Sequence, residues 1–298
     1  MLIMRRVLPI ILFLAATARA QDPFSYSTSV NVTYNVADGQ ELKLDVYRPR
    51  RAEAPVPVVM FIHGGGWVAG SKEQDFLWAL QFLRMGTAVV NVEYRLAKVA
   101  PAPAAVEDCR CALRWIVRNA ERLKFDVNRI VVAGGSAGGH LALMTGMTTR
   151  AAGFDRPCPA PENVRWTGSD TTDPKVAAIV NYFGITDVAD MLEDGGNPRS
   201  YAIEWVGNRQ NVPRIAAQVS PLTYVRRDLP PILTIHGDND KLVPVAHARR
   251  LHEALQKVGA PGELLILPGA GHGDFNAEQA RQAEDAVRAF LTKLGIIK

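Results

Sequence analysis

The chain has 298 residues, 48% of them hydrophobic and 21% charged, with 24 glycines, 19 prolines and a formal net charge of +4. That composition excludes disorder, a collagen-like repeat and a coiled coil, and the length suffices to bury about three quarters of the unfolded surface in one large domain. Arg5, Arg6 and Arg19 lie in an N-terminal segment whose removal leaves +1, a balance that gives no reason to expect nucleic acid or a membrane surface as a partner.

Met1 to Ala20 reads as a secretory signal peptide: two arginines precede an apolar run from Val7 to Ala16, and Ala18 and Ala20 flank a cleavable position. As a helix that run reaches only ~15 Å, about half of a ~30 Å hydrocarbon core. The chain from residue 21 to 298 is therefore expected to be a single exported domain, secreted or periplasmic.

From Val30 onward, short apolar strands alternate with longer helical segments, which predicts an α/β fold with a mostly parallel eight-stranded sheet and flanking helices. Val30 to Tyr34 and Glu41 to Tyr47 alternate apolar and polar residues around Asp38-Gly39 and read as an antiparallel edge hairpin. Val58 to Ile62, Ala88 to Val92, Ile130 to Ala133, Ala177 to Val180, Ile232 to Ile235 and Leu264 to Leu267 are continuous apolar runs, as strands covered on both faces require. Helices are expected near Gln74 to Met85, Ala104 to Asn119, Ala137 to Met147, Ala246 to Val258 and Ala277 to Leu294. Two excursions, Thr148 to Lys175 and Gly184 to Leu229, are rich in Pro, Gly, Asp and Asn and longer than ordinary connections, so they are expected to cover a site and to supply a short cap.

Export makes the three cysteines relevant. Cys109 and Cys111 point to different faces of one predicted helix and cannot readily bond each other, so Cys158 is the expected partner of one of them; three idle thiols is the alternative. No histidine lies near the pair in sequence, so no metal site is expected.

The chemistry concentrates at strand ends. Gly134-Gly135-Ser136-Ala137-Gly138 follows a buried strand and opens a helix, a G-x-S-x-G pattern that exposes a serine on a strained turn. A serine hydroxyl needs a base, and the base needs a carboxylate to orient it. After Ile232 to Ile235 comes His236-Gly237-Asp238-Asn239-Asp240, and after Leu264 to Leu267 comes Pro268-Gly269-Ala270-Gly271-His272. Asp240 or Asp238 as acid and His272 as base satisfy that need. His63-Gly64-Gly65-Gly66-Trp67 follows another buried strand, and its glycines let the amides of Gly65 and Gly66 turn, with that of Ala137, toward one point as an oxyanion hole. His140 and His236 read as packing or bracing residues, and His247 and His252 as surface or satisfied ones. Trp67, Trp205, Tyr201 and Phe183 are candidates for lining a substrate pocket, with at least half of them core.

These motifs, together with Glu93-Tyr94-Arg95-Leu96 and Pro103-Ala104-Ala105-Val106-Glu107-Asp108, resemble the α/β-hydrolase carboxylesterases, and more closely the hormone-sensitive-lipase-like branch and the secreted bacterial acetyl xylan and feruloyl esterases. The resemblance implies the α/β-hydrolase fold, a triad of Ser136, Asp240 and His272, no cofactor, and a small-molecule or polysaccharide ester as substrate. It also selects Asp240 over Asp238; Tyr94 and Asp108 read as scaffold bracing. The stretch Ala97 to Pro103 lacks the His-Pro-Phe-Pro wording of the lipase-like branch, and no long N-terminal helical cap precedes the first strands, so short acyl groups or an aromatic acid in an open cleft fit better than long acyl chains. A prolyl oligopeptidase-type peptidase is the rival enzyme, for whose usual propeller the chain has no room; a non-catalytic scaffold would be expected to have lost a triad member.

Overall fold

Strands that are apolar on both faces can be buried only between two layers of helices. The computed structural model, which describes residues 25–50, 52, 54–159, 173–193, 199–207 and 210–298, has that form. The expected signal segment, 1–20, lies outside the described residues. Eight strands form one sheet: β1 (Tyr26–Ala37), β2 (Gln40–Pro49), β3 (Val56–Ile62), β4 (Ala88–Val92), β5 (Phe125–Gly135), β6 (Ala178–Tyr182), β7 (Ile232–Gly237) and β8 (Gly262–Leu267). Their order is β1-β2-β4-β3-β5-β6-β7-β8; β1 and β2 join antiparallel, and the pairs from β4 to β8 are parallel.

The hairpin turns through Asp38 and Gly39, both at positive φ (50° and 74°), the geometry that matches the twist of paired strands. Both hairpin strands run longer than their alternation suggests, because main-chain pairing continues where the side chains of β1 are exposed. In β3, Val58, Met60 and Ile62 join one core with Leu113, Leu141 and Leu251, while Val59 and Phe61 join the other with Phe82, Val287 and Phe290. The first face is covered by α2 (Ala104–Arg118), α4 (Ala137–Met147) and α8 (Ala246–Val258), and the second by α1 (Phe76–Arg84) and α9 (Ala277–Lys293). A short α3 (Ala120–Leu123) leads into β5. Among the described residues no helix is long and apolar enough to cross a membrane.

The excursions differ from each other and from expectation. The one from 184 to 229 is largely helical, with α5 (Val188–Glu193), α6 (Ser200–Val206) and α7 (Val212–Gln218). Helices of under two turns are too short to display a 3.6-residue period. The described part of the other does not cover the serine. It is tied to α2 by a disulfide between Cys111 and Cys158 and by Arg110, whose Nε and Nη2 donate to the two oxygens of Asp155 at 2.9 and 2.8 Å. Arg110 Nη1 also donates to the carbonyls of Thr145 and Thr148, at the carboxyl end of α4 and roughly 16 Å of helix from Ser136. Cys109, on another face of α2, is a buried free thiol.

Candidate active site

Ser136 closes the turn between β5 and α4 at φ 57° and ψ −123°, a conformation that L residues with a side chain rarely adopt. The turn is tight because main chain meets main chain. A Cβ on Gly138 would lie 2.1 Å from the carbonyl oxygen of Ile62 and 2.5 Å from that of His63, so only glycine lets the start of α4 sit against the end of β3. The amide of Ser136 donates to Tyr182 O at 2.9 Å, which ties the turn to β6.

The loops after β7 and β8 bring the other two side chains to this turn. Ser136 Oγ donates to His272 Nε2 at 2.8 Å, and His272 Nδ1 donates to Asp240 Oδ2 at 2.7 Å. The other oxygen of Asp240 accepts the amides of Leu242 and Val243, each at 2.9 Å. Burial works to raise the Asp240 carboxyl, but hydrogen bonds from His236 and His272 outweigh it and hold the group well below the ordinary carboxylate range. Asp238 is elsewhere: its Oδ1 accepts the amide of Gly269 at 2.6 Å and laces the two loops together. The edge of Phe183 meets the His272 ring at 4.7 Å between centroids.

Opposite the serine lies the glycine loop. Gly65 and Gly66 have positive φ (106° and 60°), and a Cβ on Gly65 would lie 2.0 Å from Ala69 O. No hydrogen bond among the described residues occupies the amides of Gly65 and Gly66, and the amide of Ala137, in the first turn of α4, has no partner within the helix. The amide of Gly64 is taken by Asp75 Oδ2 at 2.6 Å, a contact the sequence does not reveal because Asp75 stands eleven positions away with no motif around it. Tyr94 Oη donates to the carbonyls of His63 and Gly64 at 3.2 and 3.1 Å, and Asp108 receives Arg95 through its amide, Nε and Nη2, so both are braces.

The aromatic candidates divide. Trp67 and Trp205 are fully buried and stacked at 4.2 Å, so they are core rather than pocket lining: the stack fastens α6 to the glycine loop. Phe183 is also buried, against His272. Tyr201 is partly exposed and sits over Gly66, where an added Cβ would come within 3.0 Å of it. His140 accepts the Trp67 indole N–H at Nδ1 (3.1 Å) and donates from Nε2 to Val219 O (2.6 Å); burial pulls its pKa down to about 4. His247 is buried too and accepts the Thr186 amide at 3.2 Å.

Residues 44–255 match the model of the BD-FAE family, a span that contains Ser136 and Asp240 and ends before His272. Esterase LipC of Mycobacterium tuberculosis is 33% identical over 263 residues, covering 84% of this chain and 62% of that protein. The chain spans about three fifths of the length of the curated relatives it matches. Among solved structures, an esterase of Thermogutta terrifontis, Est2 with propionate bound, superimposes with a TM-score of 0.72 at 26% identity over 93% of this chain and 97% of that one. A truncated carbohydrate esterase from gut microbiota gives 0.74 at 27% identity over 92% and 98%. The chain belongs to the BD-FAE family, and its fold is that of the α/β-hydrolase esterases.

Proposed function

We propose that this protein is a serine carboxylic-ester hydrolase that cleaves short-chain acyl esters, including acetyl or feruloyl esters of plant polysaccharide, and that it acts outside the cytoplasm. The observation that carries the reading is the chain of two hydrogen bonds, 2.8 and 2.7 Å, from Ser136 through His272 to Asp240. His272 takes the serine proton as Oγ attacks the ester carbonyl, Asp240 holds the ring and stabilises its cation, and the amides of Gly65, Gly66 and Ala137 receive the oxyanion. The alcohol leaves with that proton. Water, deprotonated by His272, then releases the acid and restores Ser136.

The short-acyl preference is supported by Tyr201 closing over Gly66 and by the propionate seen in the Thermogutta esterase. The polysaccharide reading is supported by likeness to a carbohydrate esterase. Export is supported by the signal-like segment 1–20 and by the Cys111–Cys158 disulfide, a bond that persists in oxidising compartments.

The test is hydrolysis of p-nitrophenyl acetate, butyrate and decanoate, acetylated xylan and methyl ferulate, with a prolyl amide beside them. Short esters are expected to turn over, and Ser136→Ala is expected to lower kcat on the order of 10⁶-fold. An alanine variant that kept its esterase rate would sink the assignment.

A further inference from the structure

Asp240 has a second imidazole beside it. His236, fully buried at the end of β7, places Nε2 2.8 Å from Val243 O and 3.3 Å from Asp240 Oδ2. Both neighbours are acceptors, so Nε2 carries the hydrogen. Nδ1 has no hydrogen-bond partner among the described residues, and a buried unpaired ring nitrogen is destabilising. Packing alone would therefore favour an apolar side chain at this position. What the imidazole supplies is an N–H directed at the carboxylate and at the loop that carries it. Oδ1 of Asp240 faces the amides of Leu242 and Val243, and Oδ2 is divided between His272 and His236.

We propose that His236 is a positioning residue for Asp240, holding the carboxylate plane so that Oδ2 meets His272 Nδ1 while taking up part of the charge on that oxygen. The proposal rests on the esterase reading of Ser136, His272 and Asp240. Its chemical consequence is a carboxylate fixed in direction and tempered in strength. Without the His236 donor, more negative charge falls on the bond to His272, whose imidazolium is then held more tightly, and the carboxylate is freer to tilt. The other ionisable groups facing this cluster are His247 of α8 with Arg250 and Asp190 beyond it, Tyr201 of α6, and Arg199 just before that helix. All of them stay constant across the variants below.

His236→Leu removes the donor, and His236→Gln keeps an N–H near the position of Nε2. The His272 ring is titrated by NMR in a Ser136→Ala background, which needs no turnover, and kcat and KM are followed against pH with Ser136 intact. The leucine variant is expected to raise the His272 titration by about one pH unit, to move the acid limb of kcat/KM with it, and to lower kcat roughly tenfold with KM within about twofold. Glutamine is expected to restore most of both. An unchanged His272 titration in the leucine variant overturns the proposal, because a mere brace for Val243 would lower stability without moving it. If the leucine variant does not fold, the ¹⁵N shifts of His236 in the unsubstituted protein decide: the proposal requires hydrogen on Nε2 and a bare Nδ1, and the opposite tautomer overturns it. A protein that hydrolysed no ester would refute the esterase reading, and the titration would still test the coupling.

Discussion

Two excursions of similar composition leave the sheet on either side of β6, and they are fastened to different parts of the molecule. The described part of 148–175 is tied to α2 by a disulfide and by Arg110 and Arg114 on buried Asp155. Residues 184–229 have an ion pair of their own, Asp190 with Arg250, but on the side of Ser136 they are held by uncharged contacts: Trp205 stacked on Trp67, Ala102 N–H on Trp205 O and His140 on Val219 O, with Thr186 on His247 behind them. The first set of ties ends along α2, and the second includes the stack of Trp205 on Trp67 at the glycine loop beside Ser136. Length and loop-like residues mark both as insertions, but only the anchoring residues tell which one adjoins the reaction.

Truncating the second set is expected to do the most damage. Trp205→Ala empties a fully buried site and is expected to cost about 3–5 kcal/mol in urea unfolding and to lower kcat/KM on butyrate as Trp67 and Gly66 lose their backing. Full activity in a destabilised variant would break the link between α6 and the glycine loop. Replacing Cys111 and Cys158 together by serine is expected to cost about 2–4 kcal/mol while kcat/KM changes by less than about twofold. A comparable loss of activity would erase the distinction between the two excursions.

Acid provides the finest probe. His140 and His247 are both held near pKa 4 by burial, against ~6.5 for an unfolded imidazole, and each accepts a hydrogen bond at Nδ1. Because the folded values are depressed, the stability they contribute is complete above pH ~6.5 and is lost as pH falls toward 4, about 0.7 kcal/mol per histidine between pH 7 and 6. Burial opposes the ionised form of Asp155, but its bonds to Arg110 and Arg114 prevail and lower its pKa, so its contribution survives until pH falls below the ordinary carboxylate range. Hydrogen exchange, corrected for intrinsic rates, is expected to rise in 184–229 between pH 7 and 5 while 148–159 stays protected. Equal loosening of both would contradict this assignment of anchors.

What the sequence made legible follows from range. Apolar runs and the motifs at their ends are local signals, so the placing of Ser136, Asp240 and His272 each after a strand could be read directly. Cys111 rather than Cys109 as the partner of Cys158 depends on which face of α2 meets the excursion, and no local pattern encodes that. The same holds for Asp75 on Gly64 and for Trp205 on Trp67, which join segments far apart in the chain. Expecting Trp67 and Trp205 in the pocket failed because a large aromatic near a site serves equally as its foundation.

The close approach of Gly138 to the carbonyls of Ile62 and His63 has a wider consequence. At that point the start of α4, which carries Ser136, and the end of β3, which leads into the glycine loop, meet backbone to backbone, so any side chain at residue 138 would force the two apart. On the proposed esterase reading, Tyr201, partly exposed over Gly66, is the side chain through which acyl scope can be altered without touching that contact.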